Sequence, residues 1–195
     1  MIRFDEKSLI NSLTSLSQLH RAAAAAAATQ RLLAADLEHD EVSTKVRSKL
    51  NDILNTLWTE LISARNTSPL EITVLEQQAY KLIPSEGEAH WSPFLEDAAA
   101  ALTYTLRCWH SGEPSEAVWA LRRVYDALDY YVINIGNLRI EGLGNKDTER
   151  KIVAHPAIQL ELQRQQRDLD ELLFKKITIS KLKERAQSEA TSFVG

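Results

Sequence analysis

Apolar residues recur over positions 115–138 at Val118, Leu121, Tyr125, Leu128, Val132 and Ile135, in steps of 3, 4, 3, 4 and 3. A helix completes a turn in about 3.6 residues, so these steps place all six on one stripe. A strand, with its period of two, scatters them over both faces. A stripe sustained over about five turns requires partner helices along its length. The segment is therefore expected to be the central helix of a bundle.

The rest of the chain repeats the same periodicity. A short first helix is expected from an N-cap at Asp5 through Leu9, Leu13 and Leu16. A second follows from Ser15 or Ser17 to about Leu37, around seven consecutive alanines, Ala22 to Ala28. Alanine is the strongest helix former and ends at its β-carbon, so neighbouring helices can approach this stretch closely. A third helix, capped by Ser43 or Thr44, carries Val46, Leu50, Ile53, Leu57 and Leu61, flanked by Leu54 and Trp58. Ser68-Pro69 and Ser92-Pro93 are cap-and-proline starts for a fourth and a fifth helix. The fifth ends at Ser111-Gly112, and the short connection to the 115–138 segment implies an antiparallel hairpin.

Residues 141–145 (EGLGN) read as a loop. A seventh helix starts at Asp147 or Thr148 and must kink or restart at His155-Pro156, because the residue before a proline is pushed out of helical dihedrals. Beyond it, Ile158, Leu162, Gln165, Leu169 and Leu172 form one stripe, with a polar residue in a core position. The last segment, 178–190, has few apolar residues and is expected at the periphery. No segment alternates with period two long enough for a strand. The prediction is an all-α, single-domain antiparallel bundle of about seven or eight helices over residues 1–176, with a peripheral C-terminal helix and tail over 177–195.

Composition narrows the function classes. The chain has 195 residues, enough for one well-cored domain, with 44% hydrophobic and 26% charged residues. A net charge of −4 without a basic stripe argues against nucleic acid as a partner. One cysteine, Cys108, excludes an intrachain disulfide and a cysteine-cluster metal site. The start, Met1 to Lys7, is charged and has no signal-peptide core. The most apolar run, 21–35, falls short of the roughly 20 apolar residues a membrane span needs. A cytoplasmic protein without membrane contact is expected.

Several stretches together resemble a bacterial family known as domain of unknown function 416. They are Arg31-Leu32-Leu33 after the alanine-rich helix, Ile53-Leu54-x-x-Leu57-Trp58, and Ile83-Pro84. Glu96-Asp97 before four alanines and Leu102, and His155-Pro156-Ala157-Ile158 with Glu161 and Gln165, complete the set. The resemblance spans roughly residues 8 to 175. It departs from the family pattern around Arg31, where Gln30 and then Ala34-Ala35-Asp36 replace a Glu before the Arg and a later Pro-Asn-Tyr. The resemblance implies a helical bundle and carries no activity with it.

The chemistry-bearing residues do not assemble into a known catalytic pattern. None of His20, His39, His90, His110 and His155 stands in a Glu-x-x-His pair of the di-iron type, and no zincin motif is present, so neither a metal nor another cofactor is predicted. There is no nucleophile elbow and no phosphate-binding glycine loop. Cys108 next to Trp109 reads as a small buried hydrophobe.

Two sets of residues remain. Gln165 lies on an apolar stripe with Glu161 one turn before it, and buried polar groups must find partners. Arg31, Trp58, Asp97 and Tyr125 are the candidates, in a structural network or a pocket. On the 115–138 helix, Trp119, Tyr130, Tyr131 and Ile133 form a second face suited to a contact surface. Arg122 and Arg123 are spaced to pair with Asp126 along a solvated flank. Lys175, Lys176, Lys181, Lys183 and Arg185 read as a solvated basic tail.

The leading functional reading is a non-enzymatic protein-interaction module, either a homo-oligomer or bound to another protein partner. The alternatives are a small-molecule binder or enzyme with a polar pocket between helices, and an immunity-type protein that neutralises a partner.

Overall fold

Ala22 to Ala28 sit at the centre of the fold, every one of them 3% exposed or less. A helix with no side chain past the β-carbon offers other helices its backbone from every direction, and here that happens. The computed structural model describes residues 1–35, 41–64, 69–83, 93–134 and 146–189. These form nine helices in chain order. They are α1 (Glu6–Thr14), α2 (Gln18–Ala34), α3 (Glu41–Ser63), α4 (Pro69–Tyr80) and α5 (Pro93–Ser111). Then follow α6 (Pro114–Asn134), α7 (Lys146–Val153), α8 (Pro156–Leu173) and α9 (Ile179–Glu189). No strand occurs among the described residues, and the fold is a single all-α domain. No described helix is long and apolar enough to cross a membrane.

The alanine helix α2 touches α3, α5, α6, α8 and α9. It occupies the central position that the sequence pattern assigned to α6. Helix α6 behaves as its stripe demands on one side, burying Val118, Leu121, Leu128 and Val132, while Tyr125 is half-buried. The opposite side of α6 is an outer face. A strong amphipathic pattern marks a helix with one wet side; the helix buried all round shows no such stripe.

The helix count exceeds the expected seven or eight because the His155-Pro156 break is complete. α7 ends at Val153, and His155 caps α8 by accepting from the Ala157 N–H through Nδ1 at 3.3 Å. Asp5 and Ser17 cap α1 and α2 as the spacing suggests. Helix α3 begins at Glu41, ahead of the expected cap, with Ser43 buried in its first turn. Ile135, the stop at 66–68, Pro84, Ser92 and the loop at 141–145 fall outside the described residues.

Gly112 ends α5 with φ +75°, a left-handed geometry that suits glycine, and its N–H bonds back to the Cys108 carbonyl at 2.9 Å. A β-carbon there would press against Gln18 at 3.3 Å. Arg21 ties this corner to the start of the chain, bonding the Gly112 carbonyl and also those of Leu13 and Thr14.

The C-terminal helix does not lie at the periphery. α9 packs on α2 and α3 with Leu182 and Ala186 fully buried. Leu182 and Ala186 are its fully buried apolar side chains, with Ile179 half-buried against the core, so its sequence shows no broad stripe. Much of its attachment is electrostatic.

Candidate functional site

Helix α8 carries Glu161, Gln165 and Asp168 at i, i+4 and i+7, which puts them on one face over two turns. The same face carries Leu162, Leu169 and Leu172 into the core, so the three polar groups are drawn in with it. All three are at most 3% exposed. The last turn of α2 directs Arg31, itself 0% exposed, into their midst. Its Nε and Nη2 donate to the two carboxylate oxygens of Glu161 at 2.8 and 2.9 Å, the forked geometry that guanidinium and carboxylate share. Nη1 donates to Asp168 Oδ2 at 2.8 Å, and Gln165 Nε2 donates to Glu161 Oε1 at 3.1 Å.

The network continues into α9. Asp168 Oδ1 accepts from Arg185 at 2.7 Å and from Arg167 at 3.2 Å. Arg185 also reaches Glu171 at 2.6 Å, and Glu189 pairs with Arg167 at 2.7 Å, with Arg164 and Arg31 each at 3.8 Å. Burial by itself would lower the Arg31 pKa, but Glu161 and Asp168 more than offset it and hold it above the usual arginine range. A guanidinium so held neither gives up a proton nor accepts one. Each carboxylate of the buried centre accepts from more than one donor, and the arrangement locks α2, α8 and α9 together.

Of the six residues marked for a network or pocket, Arg31, Glu161 and Gln165 come together here, sealed from solvent. Trp58 is fully buried, and its indole N–H donates to Gln30 Oε1 at 3.3 Å, on the residue next to Arg31. Asp97 and Tyr125 lie elsewhere. Asp97, on α5, accepts from Arg123 of α6 at 3.2 Å. Tyr125 stacks on Phe4 with ring centres 5.4 Å apart. Asp168 and Arg185 belong to the network but were not singled out in the sequence. Asp168 had a readable signal, since it stands seven residues after Glu161 on the Leu162–Leu172 stripe. Arg185 had none, because its helix looked polar throughout.

Burial pushes the Asp97 carboxyl up to about 6, against the pull of Arg123. The folded state therefore holds this proton more tightly than the unfolded chain, where the ordinary value is 3.8. The stabilisation from the protonated form is full below about pH 4 and is lost as pH rises through about 6. This group is expected to lower the unfolding free energy by on the order of 1 kcal/mol across that window. Asp97→Asn, which cannot ionise, should flatten that part of a urea-unfolding pH profile; an unchanged profile would exclude Asp97 as its source.

The second marked set, on α6, is split by the hairpin with α5. Trp119 is 44% exposed and lies against Tyr104 of α5, ring centres 5.5 Å apart. Tyr130 meets Phe94 edge-on at 5.6 Å, and Ile133 is half-buried against the core. Tyr131 stands about 120° around the helix from Trp119, at about 100° per residue, and does not share its face. Tyr131 too is half-buried against the core. The rim around Trp119 is charged: Arg107 lies 5.7 Å from the Tyr104 ring centre and pairs with Glu76 of α4 at 2.8 Å. Cys108 is buried, and burial pushes its thiol up to about 12, far from the range of a reactive thiolate. No cluster of three or more metal-ligating side chains occurs among the described residues.

Together these features define a single-domain helical bundle held shut by an internal ion network, with an aromatic, charged band on its α5–α6 face. A crystal structure of a DUF416 family protein from Shewanella baltica OS155 has the same fold. It aligns with a TM-score of 0.71 and 18% identity over 94% of this chain and 93% of that one. The family is the one the sequence motifs resemble. No family model matches the chain, and no curated protein matches it.

Proposed function

We propose that this protein is a cytoplasmic, non-enzymatic interaction module that self-associates through the outer face of the α5–α6 hairpin. The observation that carries this reading is the band formed by Tyr104, Arg107, Trp119 and Arg123. Trp119 is 44% exposed, and the Arg107 and Arg123 side chains are 39% and 38% exposed. Tryptophan, tyrosine and arginine are the residue types that dominate binding energy at protein interfaces. A second copy is the occupant that fits, because the face carries both signs of charge. Arg107 stands beside Glu76 at the surface of this face, so a copy turned about a two-fold axis can bring the two Arg107–Glu76 pairs together with each arginine facing a carboxylate. The sealed surroundings of Arg31, Glu161 and Gln165 favour a scaffold over a pocket at that location.

Sedimentation velocity over a range of concentrations tests the reading. The wild type should sediment as a dimer at the upper end, and Trp119→Ala combined with Tyr104→Ala should give a folded monomer. A wild type that stays monomeric at the highest soluble concentration would sink the proposal.

A further inference from the structure

We infer that a cavity between the N-terminal segment, α6 and α7 binds a small aromatic anion, an aryl carboxylate or aryl phosphate. The cavity measures about 470 Å³, within the range of small-molecule sites, and is lined by Arg3, Phe4, Tyr125, Glu149, Arg150 and Val153. The segment that forms one wall is held in place. The Ile2 N–H donates to the Gln159 side chain at 2.9 Å, and the Gln159 amide donates back to the Ile2 carbonyl at 2.8 Å. That exchange fixes Arg3 and Phe4 over the bundle.

The aromatic half of the site is built by Phe4 and Tyr125, tilted at 36° to each other. Arg122 lies over both rings, 5.5 and 5.8 Å from their centres, and buttresses the pair from outside the lining. Its charge is already met by Asp126 at 2.9 Å and Glu6 at 3.3 Å. The charges of Arg3 and Arg150 are not met: neither has an acidic partner among the described residues. Two guanidinium groups without partners beside an aromatic wall suit one planar ligand with one anionic group. Among the described lining residues, Glu149 offsets one of the two arginine charges and disfavours a second anionic group on the ligand. This site is separate from the α5–α6 face.

The test is a titration of the full chain with phenyl phosphate and with benzoate, followed by amide NMR shifts. Benzamide and inorganic phosphate serve as controls. Saturable shifts at Phe4, Tyr125 and Val153 are expected with at least one aryl anion, and which one binds identifies the anionic group. Arg3→Ala with Arg150→Ala should weaken that binding by about tenfold or more, both side chains being exposed and outside the core. Three results would overturn the inference: no saturable shift into the millimolar range, undiminished binding by the double variant, or either control binding as tightly as the aryl anion.

Discussion

Replacing Arg31 by methionine is expected to lower the free energy of unfolding by about 3–5 kcal/mol, the cost of removing one partner from a buried ion pair. The cause is not the energy of the pairs themselves. It is the state of the groups left behind: Glu161, 1% exposed, loses its forked partner, and among the described residues its remaining hydrogen-bond donor is the amide of Gln165, with the charge of Arg164 acting on it from nearby. Asp168 fares better, since Arg185 and Arg167 still donate to it.

That difference predicts a sharp non-additivity. Glu161→Met in the Arg31→Met background should recover at least about 1 kcal/mol, because it removes the stranded carboxylate. Asp168→Leu in the same background should recover less, because Asp168 still has donors there and its loss takes from Arg185 one of its two acidic partners. Urea unfolding followed by circular dichroism measures these three variants and Glu161→Met alone. Strict additivity of Arg31→Met and Glu161→Met would mean that the two side chains do not depend on one another, and would refute the network as drawn.

The course of the chain was legible because its helix boundaries are chemical. Asp5, Ser17, Pro69, Pro93, Gly112 and His155-Pro156 mark starts and stops through capping or through what proline forbids, and these are local effects that sequence records directly. What could not be read was which helix lies inside. Helix α6 announces itself with a stripe because it has a wet face to contrast with. Helix α2 is uniform in alanine, and uniformity carries no direction. The polar centre was half legible. Gln165 and Glu161 betray themselves by standing on an apolar stripe, and Arg31 was among their proposed partners. The link to α9 through Arg185 depends on tertiary placement alone, and a helix attached largely by charge looks like a solvated one. The aromatic face of α6 was over-read for the converse reason: half of it is taken up by Phe94 of α5, a pairing that periodicity within one helix cannot reveal.

The alanine helix supplies the second large effect. Successive residues of a helix point about 100° apart, so Ala23, Ala24, Ala25 and Ala26 sample its whole circumference. Exposures of 0%, 3%, 0% and 0% mean that each direction ends on a neighbouring helix. Leucine at each position in turn is expected to cost about 1–3 kcal/mol, because the added carbons must displace a packed backbone or side chain. The same change on a solvated helix face is nearly neutral, leucine being almost as good a helix former as alanine. Thermal unfolding of the four single variants therefore reads the surroundings of α2 one direction at a time. Four comparable losses are the signature of a helix enclosed on all sides. A single tolerant position, within about 0.5 kcal/mol of wild type, would reveal an open flank and return the central role to α6.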